Sequence, residues 1–324
     1  MRRAVGEEDA LLYRMMRYHL GWEEADGRPS LEGAGKALRP VLCLLTCEAL
    51  CGSPEPALPA AAAIEILHNF SLVHDDIQDR DRTRRGRATA WTVWGEAQAI
   101  NAGDGLWALS TRTLLGAGER VEVTAATVLR AAQMLNDASL TMIEGQALDL
   151  AFESRELVSA EEYLDMIARK TGALIARSIS IGALFGGADG AQLDAFERYG
   201  ALIGRIFQVR DDVLGVWGEE AVTGKSASSD IRRKKQTLPV VYALSRGTSA
   251  SARLAALYAK PELDHSDVAE AVACLEETGA REYASALAWD TFGQASEALA
   301  ALPLREEARR ELDEMGRFLL EREK

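Results

Sequence analysis

Three carboxylates, Asp75, Asp76 and Asp79, close a long apolar run, and the basic pair Arg84 and Arg85 follows a few residues later. On a helix, Asp75 and Asp79 share a face, with Ser71 and His68 one and two turns back along it. Two carboxylates at that spacing repel each other unless a cation lies between them. Hard oxygen ligands suit Mg²⁺, which is usually held by one or two carboxylates together with substrate phosphate oxygens. The planar fork of arginine suits phosphate as well. The stretch therefore reads as a metal–diphosphate site at the mouth of a helix bundle. The bland alternative is a solvated helix end whose arginines merely pair with its aspartates, an arrangement worth little on a surface.

A second acidic pair, Asp211 and Asp212, stands 136 positions after the first. It too ends an apolar segment, Ala201 to Phe207, and basic residues follow at Lys225 and from Arg232 to Lys235. One such pair is common by chance. Two, each at the end of an apolar helix and each followed by a basic loop, form a far more specific pattern. If the two helices face each other, their carboxylates could grip several Mg²⁺ ions around one diphosphate.

Nearly every segment has a period close to 3.6, rich in Ala, Leu, Glu and Arg, and alternating strand patterns are absent. The chain reads as all-α. Helices are expected at 8–20, 37–52, 57–80, 93–116, 119–152, 160–185, 190–217, 231–246, 264–276, 279–301 and 303–323. The segment 57–80 is apolar on most sides and belongs in the centre of a bundle. Its acidic end opposes the helix dipole, which again asks for bound cations. Pro, Gly and Ser punctuate without dividing, so residues 1–324 are expected to form a single domain.

The net charge of −13 argues against non-specific nucleic-acid binding. Cys43, Cys47 and Cys51 recur every fourth residue and read as packing, with Cys274 apart. Nothing at the start resembles a signal peptide, and no uninterrupted apolar stretch approaches the ~20 residues a membrane span needs. A cytoplasmic protein with no membrane span is the expectation. His74 reads as structural, and Trp91, Trp94 and Trp217 as packing.

These motifs, from Gly35-Lys36-Ala37-Leu38-Arg39-Pro40 through His68–Gly86 to Leu238-Pro239, carry a resemblance over essentially the whole chain. The sequence resembles the trans-isoprenyl diphosphate synthases, or polyprenyl synthetases, with the first motif Asp-Asp-x-x-Asp matched without gaps. Within the family it looks most like the synthases that make geranylgeranyl diphosphate. The resemblance implies an all-α isoprenoid synthase fold around a central cavity, as a homodimer. It implies a Mg²⁺-dependent prenyltransferase that condenses isopentenyl diphosphate with an allylic diphosphate.

By that resemblance, Asp75, Asp79 and Asp211 hold the metal, and Asp76 and Asp212 act beside them. Arg84, Lys170, Lys225 and Lys235 serve the allylic diphosphate. Lys36, Arg39, His68 and Arg85 take the isopentenyl diphosphate. Thr171 and Gln208 line the carbocation region, with Gln146 and Asp149 beside the allylic site. Closure of the basic loop from Lys225 to Lys235 would exclude water from the cation. Phe70 and Ser71, five and four residues before Asp75, imply a C20 product, with farnesyl (C15) and C25 products as the near alternatives. Two positions depart from the family pattern: Gly215 replaces the third aspartate of the second motif, and Ala37 replaces an arginine. A class I terpene cyclase on the same fold and a non-catalytic partner subunit are the competing readings. Retention of Lys36, Arg39, His68 and Arg85 argues against the first, and the intact carboxylates and basic loops against the second.

Overall fold

The computed structural model describes residues 1–30, 35, 37–119, 123–155, 157–218 and 228–322. The fold is all-α, as expected. Its helices are α1 (Arg2–Val5), α2 (Leu11–His19), α3 (Leu38–Cys51), α4 (Leu58–Gln78), α5 (Ala90–Trp94), α6 (Glu96–Leu115) and α7 (Ala125–Phe152). They continue with α8 (Ala160–Ile167), a π-helical turn (Ala168–Gly172), α9 (Ala173–Phe185), α10 (Gly190–Trp217) and α11 (Ser229–Arg232). The last are α12 (Leu238–Ser245), α13 (Ser249–Tyr258), α14 (His265–Glu277), α15 (Ala280–Ala300) and α16 (Glu306–Glu321).

The chain forms two compact units. One comprises residues 1–139 and 177–194, the other residues 140–176 and 195–324. In the first, α4 is the central element. Pro59 stands in its first turn, where a missing N–H costs nothing. Ala60, Ala61, Ala63, Ile64, Ile66, Leu67 and Phe70 are all buried. The α6 helix packs along α4, with the Ser110 hydroxyl donating to the Ala63 carbonyl at 2.7 Å. His74 Nε2 lies 3.3 Å from the Ile100 carbonyl and 3.6 Å from Asp104 Oδ1, contacts between α4 and α6. By length and composition residues 55–78 could cross a membrane, although Glu65 and the terminal aspartates interrupt them; 61% of their most apolar 18-residue window is buried within the protein, as in a core helix.

In the second unit, α10 carries the second acidic pair, and Ile203, Ile206, Val209 and Val213 on it are buried. Beyond it, Ile231, Val240, Leu254, Val268 and Leu275 form one apolar cluster that anchors the segment after the motif.

Several expectations need correction. The expected helix 160–185 changes to a π-helical turn in its middle. The expected helix 93–116 breaks at Gly95 and the one at 119–152 begins at Ala125. Helix α13 was not foreseen; the capping box of Thr248 and Ser251 starts it. A two-stranded hairpin, β1 (Thr83–Arg84) and β2 (Arg87–Ala88), was also unforeseen. All four cysteines are free thiols, and Cys51, unlike the other three, is exposed.

Candidate active site

The first set of residues gathers at the C-terminal end of α4. Asp75 and Asp79 are half-buried, whereas Asp76 is 2% exposed. Burial raises the Asp76 carboxyl to about 6, the charges of Asp75 and Asp79 push it the same way, and Arg84 opposes them. Arg84 Nε donates to Asp76 Oδ1 at 2.7 Å, which fixes the guanidinium beside the acidic cluster. The loop after the motif is tied down by two donors on the Asp81 carbonyl, Thr89 Oγ1 at 2.8 Å and Trp91 Nε1 at 2.7 Å.

The hairpin explains how adjacent arginines are presented. Arg84 pairs with Arg87, so Arg85 and Gly86 form a two-residue turn, both with positive φ (53° and 77°). That is the primed turn favoured by strand twist. Arginine in the left-handed region is strained, and such strain clusters where a side chain is needed at a fixed place. The missed signal was Arg-Gly standing in for the Asn-Gly that usually marks this turn.

Arg39 and His68 meet across α3 and α4. Arg39 Nη1 is 3.2 Å from His68 Nε2, which as partner to a guanidinium acts as acceptor. Burial, followed by Arg39, Arg84 and Arg85, holds the His68 imidazole well below its usual range, so it stays neutral. Two members of this cationic patch were not anticipated. Glu65 is buried, which raises its carboxyl, while Arg39 and Arg85 partly offset that. His19, at the end of α2, is driven down to about 3 by burial and by Arg84, Arg85 and Arg87. A hollow of about 240 Å³ lies here, bordered by His19, Asp76, Arg84, Arg85 and Arg87. A glutamate on an otherwise apolar helix, one turn before His68, was the available sign. Ala37 adopts a left-handed conformation (φ 49°) just before α3. Lys36, assigned to the same patch, lies outside the described residues.

Phe70 is buried, with its ring 4.8 Å from His74 and 6.4 Å from Trp107. Trp107 in turn borders a hollow of about 140 Å³ with Leu67, Leu114 and Leu135. Ser71 bonds back to the His68 carbonyl at 2.8 Å.

The second set lies in the other unit, where a chain of hydrogen bonds links its members. Thr171 Oγ1 donates to Gln208 Oε1 at 2.7 Å, and Gln208 Nε2 donates to Asp212 Oδ1 at 2.9 Å. Asp212 Oδ2 accepts from Tyr163 OH at 2.6 Å and from the Leu238 backbone N–H at 3.1 Å. Asp212 is 2% exposed, and burial raises it to about 7 against those hydrogen bonds. Both its oxygens are already used, so it braces the turn and the start of α12. Asp211 is half-buried and pairs with Arg322. Lys170, in the π-helical turn, pairs with Asp149, and Gln146 is one turn before Asp149 on α7. Such π turns recur at functional sites because the extra residue re-aims side chains. Gly145 and Gly204 allow the close approach: a Cβ on the first would overlap the Lys170 backbone, and on the second that of Gly172.

Gly215, the departure from the second motif, has a spatial reason. A Cβ there would overlap the carboxylate of Asp230. The acid missing from the motif is thus matched by one brought from α11, which was not singled out from the sequence. Lys235 is half-buried beyond it, and Lys225 lies outside the described residues.

No group of three or more His, Cys, Asp or Glu side chains forms a ready-made metal cage among the described residues. Asp75 and Asp79 at the end of α4, and separately Asp211 at the end of α10, offer hard oxygens of the kind that suits Mg²⁺ completed by phosphate oxygens.

The polyprenyl synthetase family model matches residues 27–275. The (2E,6E)-farnesyl diphosphate synthase of Mycobacterium tuberculosis is 37% identical over all of this chain and 89% of its own. The geranylgeranyl diphosphate synthase of the same organism is 41% identical over 94% of this chain and 85% of its own. The crystal structure of a polyprenyl synthetase from Streptomyces coelicolor superposes with a TM-score of 0.92 at 41% identity, covering 98% of this chain and 94% of that one. With a family match of this extent and a shared fold, the chain belongs to the polyprenyl synthetases, the trans-isoprenyl diphosphate synthases, and is a trans-prenyltransferase.

Proposed function

We propose that this enzyme is a Mg²⁺-dependent short-chain synthase. It condenses isopentenyl diphosphate with dimethylallyl, geranyl or farnesyl diphosphate and stops at geranylgeranyl diphosphate. The observation that carries the reading is the repeated device at the ends of α4 and α10: a half-buried aspartate beside a fully buried one that is braced by donors. Relatives named for farnesyl and geranylgeranyl products support the short-chain class.

In this reading Asp75, Asp79 and Asp211 hold the metal, which supplies charge neutralisation for the leaving diphosphate. Asp76 and Asp212 keep those carboxylates in place. Arg84, Lys170, Lys225 and Lys235 bind the allylic diphosphate, with Gln146 and Asp149 beside it. Lys36, Arg39, His68 and Arg85 bind the second diphosphate without metal; neutral His68 orients Arg39 there. Thr171 and Gln208 face the developing allyl cation with oxygen dipoles. Phe70, with Ser71 beside it, closes the hydrocarbon channel. The chain acts as a single catalytic domain, as a soluble cytoplasmic homodimer.

The test is purified protein with Mg²⁺, labelled isopentenyl diphosphate and each allylic starter in turn, with products read by mass. A C20 diphosphate is expected. Dominant C15 or C25 product would overturn the chain-length assignment, and cyclic hydrocarbon from an allylic diphosphate alone would overturn the synthase reading.

A further inference from the structure

The end of α16 grips the turn that carries the second acidic pair. Arg322, whose side chain is 4% exposed, lies over the Phe207 ring with its guanidinium carbon 4.1 Å from the centroid. Its Nη2 donates to the Phe207 carbonyl at 3.0 Å and also pairs with Asp211 Oδ1. Its own carbonyl accepts from Arg210 Nε at 2.9 Å. One tail residue thus holds positions 207, 210 and 211, a single turn of α10. The grip is lopsided: Arg322 is sealed from water while the Asp211 side chain is 45% exposed, open to an incoming ion.

A guanidinium and a divalent cation on one carboxylate oxygen compete for its lone pairs and repel each other, the more so where one side is desolvated. At the first motif Arg84 sits instead on the buried Asp76. We propose that Arg322 is a positioning residue for Asp211. It serves as the resident counter-ion of that carboxylate, and cation loading there displaces it and frees the C-terminal end of α16. The proposal rests on the metal role assigned to Asp211 above. It makes the tail a reporter of metal occupancy and a brake on it.

Two measurements on the full-length protein test this. Hydrogen exchange over residues 317–322 should speed up several-fold when Mg²⁺ and inorganic diphosphate are added together. Asp211→Asn should show the fast exchange without them. Mn²⁺ titration followed by electron paramagnetic resonance should show Arg322→Gln binding about three- to tenfold more tightly than wild type. Arg322→Lys, which keeps the charge but loses the fork, should fall between. If wild type binds Mn²⁺ yet exchange over 317–322 does not change, the displacement is refuted. Equal or weaker Mn²⁺ binding by Arg322→Gln refutes the competition. Absence of Mn²⁺ binding to wild type would sink the functional reading, and this inference with it.

Discussion

The ends of α4 and α10 carry the same sequence device and stabilise it differently. Each pairs a half-buried aspartate with one only 2% exposed. At the end of α4 the buried member, Asp76, is braced by a charged partner, Arg84. At the end of α10 the buried member, Asp212, is braced by neutral donors, and the arginine sits instead on the accessible Asp211. Burial is the main cause at both ends: it raises Asp76 to about 6 against the opposing charge of Arg84, and Asp212 to about 7 against its neutral donors. At the second end the accessible carboxylate itself carries an internal counter-ion, Arg322, which on the proposal above a cation displaces.

The largest expected effect is on turnover. Asp75→Ala and Asp211→Ala should each lower kcat by about 10²–10³-fold, as loss of an electrostatic stabiliser does elsewhere. Steady-state assays giving near-normal turnover for either would break the equivalence of the two ends.

Stability against pH should separate the buried members. In the unfolded chain Asp212 titrates near 3.8, while in the fold it keeps its proton to about 7. The folded state therefore holds more protons through that window, and stability falls as pH rises from about 4 to about 7, then levels. Asp212→Asn removes this loss, so its advantage over wild type should be near zero at pH 4 and about 4 kcal/mol at pH 8. The same window for Asp76→Asn should close earlier, at about pH 6. Denaturant titrations across pH read both, and identical profiles would erase the distinction.

Truncating the braces comes next. Arg84→Ala leaves a buried carboxylate without its charged partner and should cost about 2 kcal/mol, discounted because Arg84 is partly exposed. Tyr163→Phe removes one of several neutral donors and should cost about 1 kcal/mol. A reversed order would show the neutral network to be the stronger brace.

The smallest effect in energy, though visible in product, concerns the phenylalanines just before each motif. Phe70 stands near Trp107, which borders a hollow, whereas Phe207 is covered by Arg322. Phe70→Ala should lengthen the product by about one C5 unit on mass analysis, since it removes the ring that closes the channel in the proposed reading. Phe207→Ala should leave product length unchanged and loosen residues 317–322 in hydrogen exchange.

What the chain determines locally was legible. Helical periodicity, two acidic pairs at the ends of apolar helices and the clustered arginines are all short-range patterns; they indicate an all-α chain with a metal–diphosphate site, and the resemblance that the motifs carry implies the prenyltransferase. Position in three dimensions decided the rest. The sequence of Asp75 and Asp76, or of Asp211 and Asp212, carries no mark of which member is buried; that depends on helix rotation against neighbours. Asp230 filling the space left by Gly215, Arg322 reaching Asp211 across 111 positions, and Glu65 with His19 inside a cationic patch are long-range encounters with no local pattern. The π-helical turn at Lys170 likewise lies where the backbone packs closely against Gly145 and Gly204, a long-range approach that the residues within the turn do not signal.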